Sequence, residues 1–202
     1  MPKSKLLVAT RNSHKTRELR ELLGSEFELE DLTSHPEIPE TSETGTTFEE
    51  NATIKALAVS KCCSALVMAD DSGLEVEALH GDPGVYSARY AGPKVSDEQN
   101  VEKLLHELRG RDPNGKMRAA RFRCFIVLAQ NGTVIRAVEG IVEGTIVDSR
   151  RGTGGFGYDP IFQPAGYAET FAELGTATKN RISHRARAVQ ALAETLASLR
   201  YD

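Results

Sequence analysis

Cysteine is scarce in this chain. Cys62, Cys63 and Cys124 are an odd number, without C-x-x-C spacing. That argues against a disulfide framework and fits free thiols in a reducing cytosol. Zinc patterns are missing too, since the five histidines contain no H-E-x-x-H. The metal expected instead is Mg2+ held by carboxylates. A basic excess is also absent: Lys and Arg total 25 against 29 Asp and Glu, a formal net charge of -4. Sequence-blind binding of a nucleic-acid polymer needs a basic footprint and is disfavoured. A small anion in a local basic pocket stays open. Long apolar runs are lacking as well. Leu6–Ala9 is too short for a secretory core, and no segment approaches membrane-spanning length. A cytoplasmic chain with no membrane partner is expected.

What is present suits one soluble domain over residues 1–202, with two lobes. There is no internal repeat and no low-complexity tract. Leu6–Ala9 reads as a buried strand. Ser13 is placed to cap a helix carrying Leu19, Leu22 and Leu23, stopped by Gly24. A flexible loop rich in Pro, Thr and Ser follows, roughly over 33–46. Thr47-x-x-Glu50 is a capping box that opens a second helix running to about Ser64. Ala65–Ala69 reads as a short strand ending in an Asp70-Asp71-Ser72-Gly73 turn. Leu74 and Val76 then alternate with Glu75 and Glu77, which are assigned to solvent. Ser96 caps a third helix with Val101, Leu104, Leu105 and Leu108 on one face. Phe122, Cys124, Ile126 and Leu128 alternate along a long strand, and Asn131-Gly132 is a hairpin turn. One or two strands fill 133–147. A last helix begins near Ser183 and buries Val189, Leu192, Leu196 and Leu199. Strand–helix units with a central hairpin predict an α/β fold with a mixed sheet.

Gly152, Gly154 and Gly157 make a literal G-x-G-x-x-G. The dinucleotide fingerprint requires a helix to open at the third glycine. Tyr158-Asp159-Pro160 follows here, and Pro160 biases Asp159 away from helical geometry. An NAD-linked reading fails on that context. Phe156 and Tyr158 beside glycines describe a loop able to pack on a flat ring, or an ordinary surface turn.

Several residues are candidates for chemistry. Thr10-Arg11-Asn12-Ser13-His14-Lys15 lies at a strand-to-helix junction, where backbone N–H groups favour an anion. An ordinary polar helix cap explains the same segment equally well. Lys15 opposes the helix dipole unless an anion compensates it. Lys55 falls within the apolar stripe formed by Phe48, Ala52, Val59, Cys62 and Cys63. A lysine there is paired, functional, or snorkelling along its stem. The cysteines read as core thiols. Asp70 and Asp71 repel one another, and with Glu43 they supply hard oxygen ligands for a divalent cation. An Asx-type turn is the plainer alternative. Lys179, His184 and Arg185 gather cations, the last two again at a helix start. Misplaced cations at two helix starts suggest a shared polyanion, and phosphates suit that role.

These motifs together resemble the inosine triphosphate pyrophosphatase family. They are T-R-N-S-H-K at 10–15, E-T-G-T-T-F-E-E-N-A from 43 and A-D-D-S-G-L from 69. P-G-V-Y-S-A-R-Y follows from 83, G-G-F-G-Y-D-P from 154 and K-N-R-I-S-H-R from 179. The resemblance spans nearly the whole chain. It implies a mixed, bent central sheet flanked by helices, two lobes with a cleft between them, and a homodimer. It implies Mg2+-dependent hydrolysis of ITP, dITP and XTP to the monophosphate and pyrophosphate. It places Thr10, Arg11, Asn12, Ser13, His14 and Lys15 on the triphosphate. Glu43 and Asp71 hold the metal with Asp70 close by, and Asp71 also takes the proton of the attacking water. Lys55 offsets developing charge and Ser72 touches the substrate. Phe156, Gly157, Tyr158, Asp159, Lys179, His184 and Arg185 face the nucleoside. A pyrophosphatase for modified pyrimidines or guanine analogues, or a nucleotide-sensing module without turnover, are the competing readings.

Overall fold

Ser4–Val8 form β1, the first strand of a computed structural model that describes residues 4–112 and 114–199. The outermost positions of the expected 1–202 domain therefore lie outside the described residues. In chain order the further elements are α1 (Ser13–Leu23), β2 (Phe27–Asp31), α2 (Phe48–Ser60), β3 (Leu66–Val76) and α3 (Asp97–Arg111). They are followed by β4 (Ala119–Gln130), β5 (Thr133–Ile146), β6 (Phe162–Pro164), α4 (Gly175–Ile182), α5 (His184–Ala191) and α6 (Ala193–Ser198). One six-stranded sheet has the order β2-β1-β3-β4-β5-β6. β1 is parallel to both β2 and β3, while β5 and β6 are antiparallel, so the sheet is mixed as expected.

The chain divides into two compact units. The first takes Met1–Asp71, Cys124–Gly140 and Arg185–Asp202, and the second takes Ser72–Arg123 and Ile141–His184. In the first unit, strand alternation builds two cores. Leu6, Val8, Leu66, Met68, Cys124, Ile126 and Leu128 pack with Leu19 and Leu23 of α1 and with Ala188, Val189, Leu192 and Leu196 near the C-terminus. Leu7, Ala9, Val67, Ala69, Val127 and Ala129 pack with Ala52, Ala56 and Val59 of α2. Helices thus cover both faces of this part of the sheet. The second unit has its own core, where α3 packs with Leu74, Val76, Phe122 and Phe162.

Several local expectations change. Asn12, not Ser13, caps α1: its side chain accepts from the N–H groups of His14 and Lys15. β3 does not stop at Asp70 but runs on to Val76, so the anticipated turn is extended strand. Two buried faces and paired acids keep it in the sheet. Glu75 is not solvated, because Arg121 and Arg123 hold it at 2.6 and 2.9 Å. α2 ends at Ser60, which takes Cys62 out of the helical stripe and leaves it exposed, with Cys63 half-buried. β2, β6 and α4 are additional elements, and the final helical stretch is two helices.

Candidate active site

The chemistry-bearing residues of the first unit converge on the end of its β3 segment. Asp70 continues the face of Leu66 and Met68, and Asp71 continues that of Val67 and Ala69. Neighbours on a strand point to opposite sides, so the two acids meet different helices. Asp70 faces α1 and α5. Lys15 Nζ lies 2.7 Å from its Oδ1, and Arg185 Nη2 lies 2.8 Å from its Oδ2. Arg185 is 1% exposed and also donates to Glu18 through Nη1. The Cys124 thiol reaches Asp70 Oδ2 at 3.6 Å. Burial works to raise the Asp70 pKa, but Lys15 and Arg185 outweigh it and hold the carboxyl well below its ordinary value.

Asp71 faces α2. Lys55 Nζ donates to Asp71 Oδ1 at 3.0 Å and to Glu43 Oε1 at 2.8 Å. Burial alone would lower the Lys55 pKa, but Asp71 and Glu43 outweigh it and raise it. Lys55 is therefore a paired ammonium rather than a snorkelling one. For Asp71 the balance is reversed. Burial pushes its carboxyl above the ordinary range, and Lys55 and Lys15 only partly oppose that. Asp71 Oδ2 is buried and has no hydrogen-bond partner among the described residues. A buried carboxylate oxygen left this way is destabilising until something binds it.

Around this spot three cations, Lys15, Lys55 and Arg185, meet four carboxylates, Glu18, Glu43, Asp70 and Asp71. Among the described residues no group of three or more His, Cys, Asp or Glu is arranged to hold a metal ion by itself. Two carboxylates and an unpartnered oxygen still fit Mg2+, which is commonly held by one or two carboxylates plus water and phosphate oxygens. Asp70 is less suited, because both its oxygens already face cations.

The 10–15 segment is ordered by its own contacts. Thr10 Oγ1 accepts from Asn12 N–H at 3.1 Å, and Arg11 Nη2 donates to Ile38 O at 2.7 Å. His14 Nδ1 stands 3.2 Å from Arg17 Nη2. The 43–47 loop is hydrogen-bonded to the start of α2. Glu50 accepts from Thr46 N–H at 2.7 Å and Thr47 N–H at 3.2 Å, completing the expected capping box.

The second unit assembles the other candidates. Lys179 and Asp159, both buried, form an ion pair. Asp159 Oδ2 also accepts from Phe156 N–H at 2.9 Å. A Cβ on Gly155 would come within 2.0 Å of that oxygen, so only glycine lets the loop close over it. Lys179 Nζ lies 5.0 Å from the Phe156 ring centroid, a cation–π arrangement. Gly157 N–H donates to Asp97 at 2.6 Å, and Tyr158 OH donates to Ser87 O at 2.9 Å. His184 stacks on Phe122 with centroids 4.7 Å apart. No helix opens at Gly157. Ser72 directly follows Asp71 in β3. Neither Asp97 nor Ser87 is among the site candidates read from the sequence, although Ser87 lies within the P-G-V-Y-S-A-R-Y motif. Asp97 sits in the first turn of α3, where a helix start alone explains an acid.

The Ham1 family profile matches residues 6–195. The chain belongs to the Ham1 family. Among Ham1 relatives, a dITP/XTP pyrophosphatase of Shouchella clausii (strain KSM-K16) is 47% identical over 193 residues, covering 96% of each chain. One from Bacillus subtilis (strain 168) is 46% identical over 191 residues, covering 94% of this chain and 96% of its own. The Ham1 protein of Staphylococcus aureus superposes with a TM-score of 0.84 at 39% identity, covering 96% of this chain and 99% of that one. A HAM1 protein from Coxiella burnetii gives 0.85 at the same identity and coverage. The resemblance read from the motifs is thus a family membership.

Proposed function

We propose that this Ham1 protein hydrolyses deaminated purine nucleoside triphosphates, namely ITP, dITP and XTP, to the monophosphate and pyrophosphate. The observation that carries the reading is the Glu43–Lys55–Asp71 constellation, with its unpartnered Asp71 Oδ2. Close relatives named dITP/XTP pyrophosphatase support the substrate class. Asp71 takes a proton from the attacking water, and a carboxyl with a raised pKa suits that task better than an ordinary one. Lys55 offsets negative charge that develops at the phosphates. Glu43 and Asp71 would hold Mg2+, which when bound supplies charge neutralisation at the phosphate oxygens. Thr10–Lys15 orient the triphosphate. Arg185, committed to Asp70 and Glu18, acts at the substrate chiefly by fixing Asp70.

The base is read by the donors Lys179 and His184, with Phe156 as the stacking ring. Hypoxanthine and xanthine carry a keto oxygen at position 6 where adenine carries an amino donor. Donors accept the first and leave the second unmatched, and an unmatched buried polar group discriminates strongly. Homodimerisation and a cytoplasmic setting belong to the same reading. The test is pyrophosphate release from ITP, dITP, XTP, dGTP, dATP and modified pyrimidine triphosphates, with and without Mg2+. Turnover should be confined to the first three and need the metal. Faster release from dGTP or a pyrimidine would overturn the base assignment. Tight ITP binding without turnover would make the protein a sensor.

A further inference from the structure

Asn51 is a buried polar residue that the chemistry above does not use. It lies in α2, one turn before Lys55, and is 0% exposed. Its Oδ1 accepts the Gly45 N–H at 2.8 Å. Because Gly45 offers a donor, the amide must present its oxygen, and Nδ2 is left buried without a partner among the described residues. Burying a donor without an acceptor is destabilising, so asparagine is a poor choice here for packing alone. The bond to Gly45 falls two residues from Glu43, whose carboxylate Lys55 holds from the same helix. The approach is also close. A Cβ on Gly45 would stand 2.6 Å from Glu50 Cβ and 2.8 Å from Asn51 Oδ1.

We infer that Asn51 is a positioning residue for Glu43, acting through the Gly45 backbone. The helix grips the loop at two points: Asn51 fixes the backbone beside Glu43, and Lys55 fixes its carboxylate. Glu50 secures the following residues, Thr46 and Thr47. The consequence for metal binding rests on the proposed role of Glu43 and Asp71, but the placement of Glu43 does not.

Asn51→Leu removes the acceptor and the unpartnered donor together, at similar volume, and so spares the core. Gly45→Ala attacks the same contact from the half-exposed loop, and it covers the case in which the first variant folds poorly. Two measurements on nucleotide-free protein separate the questions. The first is the NMR shift of the Glu43 carboxyl carbon and the Lys55 Nζ. Both variants should move these signals, and for Asn51→Leu the melting temperature should change little. Unmoved signals overturn the inference. The second is Mg2+ titration by calorimetry. Affinity should fall roughly 10–100-fold, as when the supports of metal ligands are removed. On a Glu43→Gln background Asn51→Leu should add nothing, and full additivity would also overturn the inference. If the wild type binds no Mg2+ while the NMR signals still move, the metal reading fails and the positioning role stands.

Discussion

Arg185 and Asp70 are 115 positions apart in the chain, yet Nη2 of one lies 2.8 Å from Oδ2 of the other. Lys15 holds the second Asp70 oxygen, and Glu18 shares the guanidinium. One buried carboxylate therefore joins β3, α1 and α5 and fixes the strand that carries Asp71.

Removing that anion should be costly. Asp70→Ala leaves Lys15 and Arg185 facing each other without their common partner. Breaking a buried pair from one side costs about 3–5 kcal/mol. Urea unfolding of the variant should show a loss of that order. A loss within the roughly 0.5 kcal/mol typical of surface changes would mean that the cations find water instead.

Asp71→Asn should leave the fold intact and reduce pyrophosphate release from dITP by at least about 100-fold, the lower end of what a positioned base contributes. Circular dichroism and melting temperature control for folding. Near-normal turnover would remove Asp71 from its catalytic role.

Lys55→Met removes the ammonium that bridges Glu43 and Asp71 and leaves two close acids. Its melting temperature should drop without metal and recover with Mg2+ by more than the wild type gains. Turnover should stay low at saturating Mg2+, by roughly 100–1000-fold, as when one electrostatic donor is lost. Equal Mg2+ responses in the two proteins would count against a metal between these carboxylates.

His35 gives a pH-dependent contribution. Its two ring nitrogens face Glu30 at 2.9 Å and Glu37 at 3.1 Å. The hydrogen bond to Glu30, followed by that to Glu37, raises its pKa above the usual 6.5. A raised histidine stabilises the fold fully below its unfolded pKa, and the benefit disappears as pH climbs through the folded value. The urea midpoint of the wild type should exceed that of His35→Gln at pH ~6 and match it at pH ~9, given an unperturbed value near 6.5. A difference independent of pH would show that packing, not charge, holds the ring.

Much of this was legible in the residues. The capping box at Thr47 and the cap at Ser96 marked real helix starts, because a side chain that satisfies orphan N–H groups is a local signal. β2 was harder: Phe27 and Leu29 are interleaved with three acids, and short charged edge strands look like loops. α4 has no side-chain cap to announce it. At the site, Lys15 and Arg185 oppose their helix dipoles, which pointed to a shared anion. The fold supplies one in Asp70, a pairing that only tertiary structure brings about. Alternation could not say which acid of the pair served which role until the helices on each side were known. Lys55 could be flagged as misplaced, but its partners could not be named from periodicity.

The phase of β3 carries a further implication. A single residue inserted or deleted just ahead of Asp70 would exchange the destinations of the two carboxylates. The acid with the open oxygen would then enter the layer of Leu19 and Leu192, and its neighbour would turn towards Lys55. Every side chain needed for chemistry would still be encoded, yet the reaction would be extinguished. Gene variants of this kind should be far more damaging here than equal-sized changes in the 33–42 loop.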